Sequence, residues 1–248
     1  MSVFFEKNYN LRYFETNNHR KASPTAIFTL LEETAAEHCH SIGHCLHSLE
    51  QKNIGWVLVS GVTDMIRYPG YKENITIRTW VSKYSLVRGY RENIIFDEQK
   101  NVIGKAKGLW VFYDIKKRKP APIFDEIKAR WGRNHETVID AVPDKMDETG
   151  DGFFSAEYNI YRTDVDSNQH VNNIRYFRFL LESLPEEFAD KHSLKLINVQ
   201  FFAEARYGDK IQVYVNDTFG SGNFLHTMKS SADEKILVKA HTQWEALS

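Results

Sequence analysis

Apolar and polar positions alternate along much of the chain, and in two places the alternation gives way to a helical period. The strand-like stretches are 55–68, 74–85, 88–98 and 101–115 in the first half, then 194–207, 209–217, 223–231 and 235–247 in the second. They are rich in β-branched and aromatic residues, and several keep a period of two, as strands with one packed face do. Each group follows one helix. In the first, Ser23 is an N-cap ahead of Pro24, and Ile27, Leu30, Leu31, Thr34 and Ala35 share a stripe that Gly43 is suited to end. In the second, Val171, Ile174, Phe177, Leu181 and Leu184 form the stripe, Tyr176, Phe179 and Leu180 make the rest apolar, and Pro185 stops it. A helix apolar on nearly all sides is expected to be buried on nearly all sides.

The two halves follow one plan. Residues 9–33, YNLRYFETNNHRKASPTAIFTLLEE, and 158–183, YNIYRTDVDSNQHVNNIRYFRFLLES, both open on Tyr-Asn-aliphatic, cross an Asn-rich stretch with a His, and reach Leu-Leu-Glu. Further on, IRYPGYKENITIRTWV (66–81) is echoed by ARYGDKIQVYV (205–215). Such self-similarity predicts a duplicated unit, each copy an antiparallel sheet wrapped around a central helix, which is an α+β class. The segment 116–152, with its prolines, glycines and charges, reads as the linker, with a short helix near 124–131. The expected division is 1–140, including linker, and 141–248.

Composition narrows the function. Of 248 residues, 42% are apolar and 26% charged, ample for a core. Lys plus Arg, 32, nearly cancels Asp plus Glu, 33, so no global field favours nucleic acid or a membrane surface, and neither is an expected partner. The opening MSVFFEKNYN lacks a leader pattern and no long apolar run follows, so a soluble, unsecreted, cytoplasmic protein is expected. Cys39 and Cys45 are the only cysteines, too few for a disulfide framework.

Chemistry concentrates in DVDSNQHVNN, residues 164–173. In an extended segment Asp166, Asn168 and His170 would project to one side, at a helix N-terminus whose free N–H groups suit a developing oxyanion. The plain alternative is that Asp166 and Asn168 are N-caps and His170 a packed histidine. In the strand-like VQFFAEARY, Glu204 falls beside Gln200, Phe202 and Arg206 and offers a second carboxylate; a solvent-facing glutamate beside Arg206 is the plain alternative. The first half contains Glu15, Asn17 and His19 at the same acid-x-Asn-x-His spacing, but aligning the Arg-Tyr pairs puts Met65 opposite Glu204. Only the second half keeps the whole set.

Through DSNQHVNNIRYFRFLLES and ASPTAIFTLLEETAAEH the chain resembles the acyl-acyl carrier protein thioesterases of plants and bacteria over essentially its full length. The resemblance implies a tandem double hot-dog fold and hydrolysis of the thioester between a fatty acyl chain and the phosphopantetheine of acyl carrier protein. It carries the catalytic roles onto Asp166, Asn168, His170 and Glu204, and gives the first half most of the acyl-chain pocket, with lining candidates on 24–38 and 56–65. Plant members commonly have cysteine after that glutamate; here it is Ala205, which excludes a cysteine nucleophile at that place. Water is the favoured final nucleophile, with His170 or Glu204 as general base, Asn168 holding the thioester or the water, Asp166 orienting the set, and an Asp166 acyl-anhydride still open. An acyl-CoA thioesterase and a non-catalytic acyl-binding protein are the alternatives, and a homodimer is compatible with fused halves.

Two further runs invite function. HCHSIGHCLH (38–47) suggests a metal, but Gly43 interrupts it and no second ligand cluster follows, so neither metal nor cofactor is expected. KKRKP (116–120), with Lys128, Arg130 and Arg133, offers a basic face to an acidic carrier protein, against the plainer reading of a solvated turn.

Overall fold

The computed structural model describes residues 4–131, 134, 136–140, 152–166, 169–217 and 222–247. The chain divides into two compact units, Met1–Val142 and Pro143–Ser248. In the first, β1 (Phe5–Asn10) leads through a 3-10 turn (Tyr13–Glu15) to α1 (Pro24–Ser41) and α2 (Leu46–Glu50). Then come β2 (Ile54–Met65), β3 (Asn74–Tyr84), β4 (Arg88–Phe96), β5 (Val102–Asp114), β6 (Lys119–Pro120) and α3 (Asp125–Trp131). The antiparallel order is β1-β3-β4-β5-β2, with β6 on β5.

The second unit repeats this plan. It runs β7 (Phe153–Asn159), a 3-10 turn (Arg162–Asp164), α4 (Asn173–Leu181), α5 (Glu186–Ala189), β8 (His192–Phe201), β9 (Lys210–Asp217), β10 (Asn223–Ser230) and β11 (Ile236–Ala246). Its order, β7-β9-β10-β11-β8, is that of the first unit strand for strand.

Local chemistry explains the elements. Ser23 caps α1, its Oγ accepting the Ala26 N–H at 3.1 Å, and Ile27, Leu30, Leu31 and Thr34 are buried as the stripe requires. Beyond them Cys39 joins Leu49, Ile54, Val81, Phe112, Ile127 and Trp131 in one apolar cluster. Gly43 takes φ +81° just past the helix, a left-handed conformation that glycine adopts without a Cβ clash. β1 and β7 escaped the sequence reading: both are edge strands, FEKNYN and FFSAEYN, whose exposed alternate positions are mostly charged or polar. The strand read over 194–207 ends at Phe201, and the helix read over 171–184 is helical only from Asn173 to Leu181.

One cross-strand row of the first sheet carries buried charge. Trp80, Glu92 and Lys107 stand side by side on β3, β4 and β5, with Lys107 Nζ 3.2 Å from Glu92 Oε1. Glu92 also accepts from the Ser82 hydroxyl at 2.7 Å and the Val138 N–H at 3.2 Å. Lys107 donates to Thr137 Oγ1 and to the Ile139 carbonyl, each at 2.8 Å, and Trp80 Nε1 to the Glu136 carbonyl at 2.8 Å. The segment after α3 is thus strapped to the sheet by charge-assisted bonds.

In the second unit a directed chain crosses the core. Trp244 Nε1 donates to Thr242 Oγ1 (3.0 Å), whose hydroxyl reaches His226 Nε2 (2.9 Å). His226 Nδ1 faces Ser183 Oγ at 3.5 Å, and that hydroxyl donates to the Leu180 carbonyl at 2.6 Å. Every link is satisfied by a neutral imidazole protonated at Nδ1. Among the described residues, no helix is long and apolar enough to cross a membrane.

Candidate active site

The polar run before α4 is a hairpin, not an extended segment. Val165 and Val171 form an isolated antiparallel bridge; between them Asp166 N–H donates to the His170 carbonyl (2.9 Å) and Gln169 N–H to the Asp166 carbonyl (3.1 Å). Reversing the chain so tightly takes a left-handed residue, here Gln169 at φ +64°. The expectation that alternate residues converge along an extended strand is therefore corrected. Asn168 and Ser167 lie outside the described residues. The cap of α4 is Asn172, whose Oδ1 accepts the Ile174 N–H at 2.8 Å, rather than Asp166 or Asn168.

The hairpin rests on Asp164, only 2% exposed. Its carboxylate accepts the Tyr161 N–H at 3.0 Å and Arg178 Nη2 at 3.3 Å, with Arg175 Nε at 3.6 Å. Its carbonyl accepts the Asn172 N–H at 2.9 Å. Two arginines of α4 are thereby fastened to the base of the turn that carries His170.

Glu204 follows the end of β8 instead of lying on it. The Phe202 and Ala203 N–H groups both turn to the Leu237 carbonyl, at 2.8 and 3.3 Å, which breaks the alternation expected there. Ala205 is then held from both sides: its carbonyl accepts the Val171 N–H at 3.0 Å and its N–H donates to the Tyr176 hydroxyl at 2.7 Å. This brings Glu204 Oε2 to 3.3 Å from His170 Nε2. The side chains are 52% and 22% exposed, so the contact contributes about 0–1 kcal/mol to stability at most. Asp166 is half-buried at the mouth of the same hairpin. Burial first, then the nearby Glu204, Asp209 and Asp166, push the Tyr176 phenol above its ordinary range, so it stays protonated. The hydroxyl of Tyr176, read from the sequence as one more apolar helix position, is what sequence reasoning missed.

The first unit has the same scaffold with other side chains. Thr16 and Ala22 form the equivalent bridge, Asn17 N–H donates to the Lys21 carbonyl (2.8 Å), and Arg20 stands at φ +59°. Ser23 N–H donates to the Glu15 carbonyl as Asn172 N–H does to that of Asp164. Lys21 therefore occupies the place of His170, and Glu15 that of Asp164; the acid-x-Asn-x-His likeness is out of register by two. Ala22 N–H donates to the Pro69 carbonyl at 2.8 Å, as Val171 does to Ala205, so Tyr68 and not Met65 is the counterpart of Glu204. Neither an imidazole nor a carboxylate stands at these two places in the first unit.

The pair in the second unit suits acid–base chemistry. A carboxylate beside Nε2–H fixes the imidazole tautomer, leaves Nδ1 as the basic nitrogen and stabilises the imidazolium that forms. In 38–47, by contrast, His38 and Cys39 are buried against Arg91 at 3.0 and 3.8 Å, whereas His40 is exposed and hydrogen-bonded to Cys45, so the run splits into two pairs with different partners. Among the described residues no group of three or more His, Cys, Asp or Glu is placed to hold a metal. Residues 116–118 run through an exposed turn between β5 and β6, where Lys117 pairs with Asp114 at 3.3 Å; Arg133 lies outside the described residues.

Two antiparallel sets of strands of identical order, each with its helix between the first and second strands, define a tandem hot-dog protein whose second unit alone pairs an imidazole with a carboxylate at the hairpin. The chain belongs to the acyl-ACP thioesterase family: residues 2–131 match the acyl-ACP thioesterase N-terminal domain and 148–246 the C-terminal domain. It is 23% identical to oleoyl-acyl carrier protein thioesterase 2, chloroplastic, of Arabidopsis thaliana, over 98% of this chain and 77% of that protein. It is 25% identical to the chloroplastic acyl-[acyl-carrier-protein] hydrolase FATB2 of Cuphea viscosissima, over 98% of this chain and 63% of that one. Among solved structures, an acyl-ACP thioesterase from Bacteroides thetaiotaomicron superposes with a TM-score of 0.89 at 20% identity, covering 99% of this chain and 100% of that one. The 12:0-ACP thioesterase of Umbellularia californica gives 0.86 at 17% identity, covering 100% and 99%.

Proposed function

We propose that this chain hydrolyses fatty acyl-acyl carrier protein thioesters to free fatty acid and carrier protein, in a reducing cytoplasm and without cofactor. The observation that carries the reading is the contact of His170 with Glu204 at 3.3 Å, at the junction of the hairpin and the loop after β8. Water is the nucleophile. His170, oriented by Glu204, takes its proton as oxygen attacks the thioester carbonyl; the tetrahedral intermediate collapses, the C–S bond breaks, and the imidazolium returns the proton to the phosphopantetheine sulfur. Glu204 as the base, with His170 as its partner, is the variant of this scheme that substitution at each place separates. Asp166 orients the set and Asn168 holds the carbonyl or the water. Residues 1–140 receive the acyl chain, along the 24–38 helix and the 56–65 strand, and residues 141–248 do the chemistry.

The test is release of free thiol from medium- to long-chain acyl-carrier-protein and acyl-CoA thioesters. Turnover on the carrier-protein series exceeding that on CoA at equal concentration supports the proposal. Turnover on CoA alone makes it an acyl-CoA thioesterase, and tight acyl binding without thiol release makes it a binding protein.

A further inference from the structure

Glu204 and His170 sit on different segments, and the bonds that hold those segments together meet at one residue. The Val171 N–H belongs to the peptide unit that follows His170, and the Ala205 N–H to the one that follows Glu204. The first donates to the Ala205 carbonyl at 3.0 Å and the second to the Tyr176 hydroxyl at 2.7 Å. Tyr176 is 2% exposed near the start of α4, its ring edge-on to Phe201 at the end of β8 with centroids 6.0 Å apart. Ala205 is equally buried, so its N–H has no recourse to bulk water.

The first unit shows what the scaffold needs without this bond. Four residues after the cap, where the second unit has Tyr176, it has Ile27; at the place of Ala205 it has Pro69. An isoleucine offers no acceptor and a proline has no N–H, so donor and acceptor are missing together and nothing is left unsatisfied. The same turn and the same helix cap form all the same. The hydroxyl accompanies the imidazole and the carboxylate in the second unit and is dispensable to the fold in the first.

We propose that Tyr176 is a positioning residue for the hydrolytic site: its hydroxyl fixes the Glu204–Ala205 peptide against α4 and so sets the approach of Glu204 to His170. The proposal rests on the hydrolase reading above. In this role Tyr176 acts through the carboxylate, by way of the Ala205 N–H that its hydroxyl accepts.

The experiment compares wild type, Tyr176→Phe, and Tyr176→Phe with Ala205→Pro, measuring kcat and KM on an acyl-carrier-protein thioester together with Tm. Loosening a catalytic pair by a fraction of an ångström to one ångström is expected to lower kcat about 10- to 100-fold in Tyr176→Phe, with KM within about two-fold. That variant also strands the Ala205 N–H and lowers Tm by a few degrees, about 2–4 °C for each kcal/mol in a chain of this size. The double variant copies the pairing of Ile27 with Pro69, removing donor and acceptor together, and is expected to recover Tm while kcat stays low. Wild-type kcat in Tyr176→Phe, or kcat recovering with Tm in the double variant, overturns the proposal, because the bond then serves only stability. If the double variant does not recover Tm, the kcat and KM of Tyr176→Phe at a temperature well below its Tm decide alone. A wild type without hydrolysis on any thioester would instead sink the hydrolase reading.

Discussion

Acidification from pH 7 to pH 5 is predicted to weaken both units through one buried histidine in each. His226 lies in the second unit between Thr242 and Ser183, and burial, with His241 adding, holds its pKa down to about 3. In the first unit, burial and then the Arg91 guanidinium hold His38 down to about 3. The unfolded chain takes up a proton on each near the ordinary value of 6.5, and the folded chain does not until about 3. Between those limits the unfolded state binds more protons, so stability is full above pH 6.5 and is lost as pH falls. At pH 5, about 1.5 units below the unfolded value, the loss is about 2 kcal/mol for each histidine. The hydrogen bonds argue the same way, because a proton on His226 Nε2 would face Thr242 Oγ1, which already accepts from Trp244. Urea unfolding at pH 7, 6 and 5 measures the slope. His226→Gln, which cannot take the proton, is expected to remove its own share of about 2 kcal/mol while leaving that of His38 and the contribution of His241, whose pKa burial also lowers. A wild type losing less than about 0.5 kcal/mol from pH 7 to 5, or a variant with undiminished slope, would mean that His226 is not held neutral by its burial in the folded chain.

Glu92→Gln leaves the Lys107 ammonium buried without its carboxylate and should cost about 3–5 kcal/mol in the first unit, whereas joint replacement of Glu92 and Lys107 by methionine should cost much less; urea midpoints distinguish the two. Asn172→Ala removes the cap of α4 and should cost about 1 kcal/mol, read as a drop in Tm, and Ser23→Ala should cost as much at α1.

What the sequence made legible was local or periodic. Ser23 and Pro24 announce α1 because cap and first turn are adjacent in the chain, and the stripe from Ile27 to Thr34 follows from burial of one face. Edge strands β1 and β7 were hidden because most of their outer positions are polar and Phe153 and Phe154 of β7 are exposed as well, which blurs the alternation. The strand through Glu204 was overextended because Phe202, Ala203 and Ala205 continue an apolar rhythm after pairing has shifted to Leu237, Val171 and Tyr176. Asp166, Asn168, His170 and Glu204 were singled out as polar chemistry beside an apolar helix and by resemblance. Their spacing misled, since the hairpin turns at Gln169, a residue type that does not advertise a left-handed backbone. The register between the halves emerged only from hydrogen bonds, which match Lys21 to His170 and Tyr68 to Glu204.

Hydrolysis by acid–base chemistry requires the hairpin of the second unit and not its twin. The measurement that tests this most directly is thiol release from an acyl-carrier-protein thioester by wild type, His170→Ala and Lys21→Ala side by side, each shown to be folded by its Tm. The expected result is a loss of about 10²–10⁴-fold in kcat for His170→Ala and wild-type turnover for Lys21→Ala. Unchanged turnover in His170→Ala, or a loss in Lys21→Ala as large, would contradict the assignment of hydrolysis to the hairpin of the second unit.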